Sequence, residues 1–220
     1  RDRVYQLYTD GRISFYAPAD YRARSDISRF MKQIIDEIAS REAMKTERKV
    51  LDIPAGKFRD KGVPIDNLCN YDSAKEYIIQ VLDVQTMIHS TLLFATAKSM
   101  LKVMDGDLLN ASKRTVQATK LSEDELVAVI VADWSEESED KVVLQTKDGV
   151  FLKFPYAEIP KKKKSALGVR GMKLSKDDLI TNVYVMDAQN ISSIMYKEKE
   201  LEFNRLKLSK RDTKGTKVRR

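Results

Sequence analysis

Short apolar runs broken by turn-forming residues recur along the chain, and they recur in register. Leu93-Phe94-Ala95-Thr96 aligns with Val143-Leu144-Gln145-Thr146 at a spacing of 50 residues. Both runs end at threonine, and three residues later each has a small residue, Ser99 or Gly149. Both then resume, as Met100-Leu101-Lys102-Val103-Met104 and as Val150-Phe151-Leu152-Lys153-Phe154. Downstream, Lys120-Leu121-Ser122-Glu123-Asp124-Glu125-Leu126-Val127 matches Lys173-Leu174-Ser175-Lys176-Asp177-Asp178-Leu179-Ile180 at a spacing of 53. Short runs rich in β-branched and aromatic residues, bounded by turn formers, predict strands. Agreement in both order and offset predicts an internal repeat. The longest apolar stretch, Leu126 to Ala132, suits one buried strand.

Weaker copies flank these two. Val4 to Ile13 reads strand, turn, strand around Asp10-Gly11, a dipeptide that favours hairpins because glycine accepts a positive φ. The same dipeptide recurs as Asp148-Gly149. Asp60-Lys61-Gly62-Val63-Pro64 precedes Gly168-Val169 by 106 residues, twice 53. Ile191 to Tyr196 and Leu201 to Phe203 predict another hairpin, followed by Thr213 to Val218. Each unit then holds a hairpin, a basic loop, a glycine-led turn and a further strand with an acidic turn. This predicts an all-β, propeller-like single domain over 1–220, with repeats at about 1–80, 81–133, 134–187 and 188–220. Four blades make a tight circle, so the ring is open or spiral, or further blades lie outside this chain. One segment breaks the pattern. Between Ser25 and Lys49, Ile27, Phe30, Met31, Ile34, Ile35 and Ile38 fall on one face of an amphipathic helix, with Ser25 or Asp26 as its cap. Such an insertion in the first repeat either packs on a blade or docks to another part of a longer protein.

Composition narrows the chemistry. Apolar residues make up 42% and charged residues 33%, a globular but highly charged balance. No run of 18 apolar residues exists to span a membrane. The single cysteine, Cys69, forms no internal disulfide and suggests a reducing compartment. With one histidine, His89, the chain lacks the usual ligand set for zinc. No phosphate-binding G-x-x-x-x-G-K-[ST] loop is present. His89 has no evident acidic partner, and Cys69 reads as a small apolar residue rather than a nucleophile. Trp134, the tyrosines and the Met and Phe residues read as blade packing. The chain starts at Arg1 without a signal peptide, as expected of a piece of something longer.

Charge points outward. The net charge is +7 and the pI about 9.3. Cations gather at one phase of every unit: Lys57, Arg59 and Lys61; Lys113, Arg114 and Lys120; Lys161, Lys162, Lys163, Lys164, Arg170 and Lys173; then Lys207, Lys210, Arg211, Lys214, Lys217, Arg219 and Arg220. In a circular array one phase is one rim, and a basic rim can track a phosphate backbone. Acids cluster elsewhere, as in Glu136, Glu137, Glu139 and Asp140. Any single lysine run is usually a solvated loop; recurrence in every unit is what favours a functional surface.

Phe154-Pro155-Tyr156-Ala157-Glu158-Ile159-Pro160, the lysine run, and Gly168-Val169-Arg170-Gly171-Met172-Lys173-Leu174 with Asp177-Asp178 resemble the C-terminal domain of the A subunits of bacterial type IIA topoisomerases, gyrase and topoisomerase IV. Asp52 to Pro64 looks like another blade of the same kind. The resemblance covers most of the chain outside the helical insertion. It implies a β-pinwheel, with strands exchanged between blades, whose basic perimeter binds and bends duplex DNA. It also implies a longer parent that assembles with an ATPase B subunit in a heterotetramer. That parent would use ATP and Mg2+ through other domains, act in the bacterial cytoplasm on the nucleoid, and have no membrane role. No catalytic residue or cofactor is expected in this stretch, since no Arg-Tyr cleavage context appears. The gyrase heptapeptide Q-R-R-G-G-K-G is missing, and Arg211-Asp212-Thr213-Lys214-Gly215 is at most a degenerate relative. That favours a topoisomerase IV-like subunit or a divergent gyrase, unless the box lies upstream of Arg1. A propeller that binds protein, or a basic surface for RNA, is the competing reading.

Overall fold

A computed structural model describes residues 4–9, 13–18, 47–49, 53–69, 71–74, 76–121, 123–132, 134–186 and 193–218. The chain opens with an antiparallel hairpin, β1 (Val4–Thr9) and β2 (Ile13–Pro18), with Thr9 opposite Ile13. This is the hairpin that Asp10-Gly11 predicts. Most of the predicted helix lies in residues 21–46, outside the described residues. Its last three residues do not continue a helix: Glu47–Lys49 are a strand, β3, paired with β6 (Thr115–Gln117). Ladder hydrogen bonds to a distant segment outweigh the local preference there. A short helix, Ile65–Leu68, and a second, Val84–His89, follow. The second is capped by the Asp83 carboxylate, which accepts from Thr86 N at 2.8 Å.

The centre of the molecule is two consecutive hairpins. The first is β4 (Thr91–Thr96) with β5 (Met100–Asp105), and β7 (Leu126–Val131) pairs with its other side. The second is β8 (Lys141–Thr146) with β9 (Val150–Pro155), and β11 (Ile180–Met186) returns alongside it. Each becomes four-stranded by borrowing a strand from the unit that follows. β10 (Val169–Arg170) crosses back onto β5, and β14 (Thr216–Lys217) crosses back onto β9. β6 lies on β3 in the same way, so β3 stands where β5 and β9 stand in their blades. The last hairpin is β12 (Ser193–Tyr196) with β13 (Lys199–Glu202). Strand is the dominant regular structure among the described residues, and it is exchanged between blades, as the repeat and its family resemblance imply.

Repeat features that look decorative in sequence turn out to be joints. Thr96 and Thr146 use their hydroxyls to accept from Met100 N and Val150 N across the two hairpin turns. Ser99 and Gly149 both sit at positive φ, 69° and 76°. Ser99 offsets that strain: its hydroxyl accepts from Met172 N at 2.8 Å and its carbonyl from Gly171 N at 2.7 Å. The acidic turns fold over these hairpin turns. Asp124 accepts from Lys98 N, and Asp178 from Asp148 N, at 2.9 and 3.1 Å. These two carboxylates are 54 residues apart, so the structural equivalence slips by one from the sequence match at 53. The slip comes from an extra residue in the turn before Asp178.

Three apolar clusters fill the gaps between sheets. The largest joins the two central blades through Leu93, Leu101, Val103, Leu144, Leu152, Phe154, Tyr156 and Met172. A second, with Leu92, Phe94, Met104 and Met87, lies on the far face of the first central blade. A third, with Val143, Phe151, Leu201 and Phe203, joins the second central blade to the last hairpin. β4, β5, β8 and β9 are therefore buried on both faces, which is why they read as continuous apolar runs. β7, at a sheet edge, is less deeply buried, with Ala128 and Ile130 packed into the first cluster and Leu126, Val129 and Val131 into the second.

Two buried lysines interrupt these apolar strands. Lys102, 2% exposed, donates Nζ to Lys164 O at 2.8 Å and Ala166 O at 3.0 Å, and lies 5.5 Å from the Phe94 ring. Lys153 donates to Phe203 O at 2.9 Å and Asn204 O at 3.3 Å. Their side chains lie on opposite faces of their sheets, yet each grips the main chain of the following unit. Burial brings the Lys102 pKa down from 10.5 to about 8.

These joints can be tested one at a time. A Cβ at Gly168, which has φ +94°, would lie 2.5 Å from Leu101 O; at Gly215 it would lie 2.6 Å from Phe151 O. Gly168→Ala should therefore cost about 2–4 kcal/mol in urea unfolding, while Gly56→Ala, with no contact under 3.4 Å, stays within about 1 kcal/mol. Equal effects would mean the exchanged strand is not tightly seated. For Lys102, the unfolded chain binds the proton more strongly than the folded one. The cost of holding that charge is complete below pH 8 and is lifted as pH rises toward 10.5. The neutral amine keeps two N–H groups for its two carbonyls. The stability of the natural chain relative to Lys102→Met should thus grow, on the order of 1 kcal/mol, between pH 7 and pH 9.5. A difference that does not change with pH would refute this.

Candidate nucleic-acid interface

The basic segments occupy matching places in the fold. After β5, β9 and β13 the chain makes a tight 3-10 turn, at Gly106–Leu109, Tyr156–Glu158 and Phe203–Arg205. It then runs through a loop and crosses to the preceding blade. Lys113 and Arg114 lie on the first loop, Lys161 to Lys164 on the second, and Lys207 and Lys210 on the third. Each loop is gripped by a cation from the blade it reaches. Arg48 on β3 donates to Leu109 O at 2.6 Å and to Ala111, Lys113 and Arg114 carbonyls at 3.2–3.3 Å. Lys102 does the same for the second loop, and Lys153 holds the 3-10 turn that leads into the third. The lysine run is further held by Lys162 N donating to Val103 O at 2.8 Å. Ordered loops keep their exposed side chains near one place, which lowers the entropy cost of binding.

Sheet order sets where these loops lie. β7 and β11, at one edge of each central sheet, pack beside each other. The exchanged strands β10 and β14 lie at the opposite edges. Strands are spaced about 4.8 Å apart, so the two edges of a four-stranded sheet are separated by about 14 Å. Arg170, on β10, and Lys217, on β14, are therefore on the edge away from the β7–β11 junction, next to their loops.

The seventeen candidates from the sequence that fall on described residues divide by their surroundings. Lys57, Arg59 and Lys61 are exposed on the extended segment before the first short helix. Lys113, Arg114, Lys120, Lys162, Lys163, Lys173, Lys207, Lys210, Lys214 and Lys217 are also exposed. Lys164 is half-buried. Arg219 and Arg220 lie outside the described residues. Lys161 is paired with Asp105 at 2.6 Å and lies 5.7 Å from the Trp134 ring. Arg170 is paired with Asp212, through Nε and through Nη2 at 3.1 Å, and each partner favours the charged form of the other. Arg211 is drawn inward: Nη1 donates to Arg170 O at 2.6 Å, Nε to Glu158 O at 3.1 Å, and its amide to the Glu158 carboxylate at 2.7 Å. Its guanidinium locks the exchanged segment, because two main-chain carbonyls satisfy it there. The acidic stretch is less remote than its phase in the repeat implies, since Trp134, two residues before Glu136, meets Lys161.

Arg48, Lys102 and Lys153 are the residues that sequence reasoning missed. A signal was present: Lys102 and Lys153 each sit inside an otherwise apolar strand run, where a solvated lysine has no place. His89 is exposed and its Nδ1 meets Gln85 O at 2.9 Å. The Cys69 thiol lies 3.6 Å from Ile65 O, half-buried, and burial pushes its pKa up, away from the reactive thiolate. Among the described residues no group of three or more His, Cys, Asp or Glu is placed to hold a metal ion, and no helix is long and apolar enough to cross a membrane.

Residues 90–133 and 140–185 each match the family model described as the DNA gyrase C-terminal domain, β-propeller. The A chain of DNA gyrase from Chlamydia muridarum is 32% identical over 150 residues, covering 65% of this chain and 17% of that protein. Its Chlamydia pneumoniae counterpart is 32% identical over 135 residues, covering 59% and 16%. The chain thus spans about a sixth of the length of these curated relatives. Among solved structures, the C-terminal domain of DNA topoisomerase IV superposes with a TM-score of 0.65 at 18% identity, covering 99% of this chain and 72% of that one. The DNA gyrase A C-terminal domain gives 0.57 at 21% identity, covering 78% and 58%. The two matched repeats coincide with the two central blades, each closed by a strand from the next, so residues 90–133 and 140–185 are two repeats of the DNA gyrase C-terminal β-propeller family.

Proposed function

We propose that this domain binds duplex DNA along the edge that carries the exchanged strands, and bends it. The observation that carries this reading is the recurrence of exposed cations on loops gripped from the neighbouring blade. Lys and Arg on that edge meet phosphates and release counterions, so binding is salt-sensitive and reads little sequence. Contacts spread over several blades offset the cost of bending, about 1–6 kcal/mol for a short smooth bend. In a longer parent, assembled with an ATPase B subunit, the bent segment would be presented for ATP-dependent strand passage. The absence of Q-R-R-G-G-K-G supports a topoisomerase IV-like role, presenting a segment, over gyrase-like wrapping.

The side chains worth testing are cations with no partner among the described residues. Lys162→Gln with Lys163→Gln should weaken duplex binding and make the slope of log affinity against log salt shallower by about 1.8, about 0.9 for each phosphate no longer neutralised. Arg211→Gln should instead lower stability, because it leaves the Glu158 and Arg170 carbonyls unpaired. Titrations of a duplex between 50 mM and 200 mM salt, beside a urea melt, separate the two effects. An unchanged salt slope in the lysine variant would refute the reading, as would RNA outcompeting the duplex.

A further inference from the structure

An aromatic ring stands in water in the middle of the first basic segment. Residues 53–64 are exposed throughout and carry one tight turn, closed by Asp60 N donating to Lys57 O at 2.9 Å. The Asp60 carboxylate accepts from Lys57 N at 2.5 Å, which fixes the turn from its other end. Phe58, the second residue of that turn, is 66% exposed. Leaving such a side chain in water forgoes the favourable transfer of its apolar surface. Lys57 and Arg59 flank it and Lys61 follows, and none of the three forms an ion pair among the described residues. Two other basic loops also expose an apolar side chain, a leucine, at other places in the repeat. Leu167, between Lys164 and Arg170, is 48% exposed, and Leu208, beside Lys207, is 50% exposed.

We propose that Phe58 is an apolar wedge that enters a base-pair step of bound duplex, with Leu167 and Leu208 as weaker wedges on later blades. The proposal rests on the DNA-binding reading above and specifies how the bend is made. The flanking cations require a polyanionic partner. On a duplex the apolar surface that can bury a phenyl ring is the face of a base, and that face opens only when a step unstacks. The cost of unstacking is recovered by the bend, which brings the next blade's cations onto the backbone. The path over this domain would then be a series of kinks, one per wedge, at flexible pyrimidine–purine steps. A turn fixed at both ends suits this role, because the ring is held out before DNA arrives.

The test uses the whole chain and a duplex of about 40 base pairs carrying 2-aminopurine, whose fluorescence rises when it unstacks, with end labels that report bending. The natural chain should bind, raise the 2-aminopurine signal and shorten the end-to-end distance. Phe58→Ser should weaken binding about 3–10-fold, abolish most of the 2-aminopurine signal and reduce the bend, while the salt slope stays the same because every phosphate contact remains. Phe58→Leu, which keeps an apolar wedge, should restore much of the signal. Thermal melts of both variants should match the natural chain, since the ring is mostly in solvent. If the natural chain binds and Phe58→Ser binds, bends and unstacks equally well, the wedge is wrong and the DNA-binding reading stands. If Phe58→Ser lowers affinity with a shallower salt slope, the turn merely positions cations on phosphates and the wedge is wrong again. If the natural chain does not bind the duplex, both readings fall.

Discussion

The fold depends on seating very short strands that come from the next repeat. β10 and β14 are two residues long and β6 is three, too short to persist without fixed ends. What holds them is a set of contacts on either side. Glycine at 168 and 215 lets the backbone approach the acceptor strand. Arg48, Lys102 and Lys153 reach from the acceptor strands to the carbonyls of the incoming loops. Arg211 ties its segment back to Glu158 and Arg170. A hydrogen bond from a charged donor contributes about 1.5–3 kcal/mol, and leaving such a cation buried without its acceptors would cost at least as much. The same feature therefore stabilises and specifies: a loop in the wrong register strands a buried charge.

This way of joining blades shapes the surface. Because each loop is held close to the next blade before it crosses, its lysines are carried to the edge of the sheet and kept there. The cations inside the joint and those outside it divide the work. Lys102, Lys153, Arg48 and Arg211 are consumed by main-chain carbonyls, while Lys162, Lys163, Lys207 and Lys210 remain exposed. A bare count of positive charge does not separate these sets; their places do, since Arg48, Lys102 and Lys153 are on the acceptor strands and the exposed lysines are on the loops. The lysine run begins beside Asp105 and the Trp134 ring, is exposed at Lys162 and Lys163, and is half-buried again at Lys164.

The hairpin turns handle backbone strain in two ways. Ser99 takes the positive φ that Gly149 takes in the next blade, and its hydroxyl and carbonyl both bond the strand-exchanged segment at Gly171 and Met172. Lys197 and Glu198, at φ 50° and 63°, form the turn of the last hairpin with no glycine at all. In the first case a cross-blade contact compensates the backbone; in the second the turn is tolerated on the surface of a hairpin that packs through Leu201 and Phe203.

The sequence alone determined the elements and their repetition, because alternation, threonine at strand ends and Asp-Gly turns are local signals. It also placed the cations at one phase of each unit, and the family likeness carried strand exchange with it. Tertiary structure decided the rest. Glu47 to Lys49 became a strand because Thr115 to Gln117 lay opposite, 65 or more residues away in sequence. Arg211 left the candidate surface because Glu158 and Arg170 met it. Lys102 and Lys153, each set in an apolar strand run, became clamps between blades because carbonyls of the following unit reached them. Each of these outcomes turns on which carbonyl or carboxylate of another repeat reaches a given side chain, and spacing along the chain does not encode that distance.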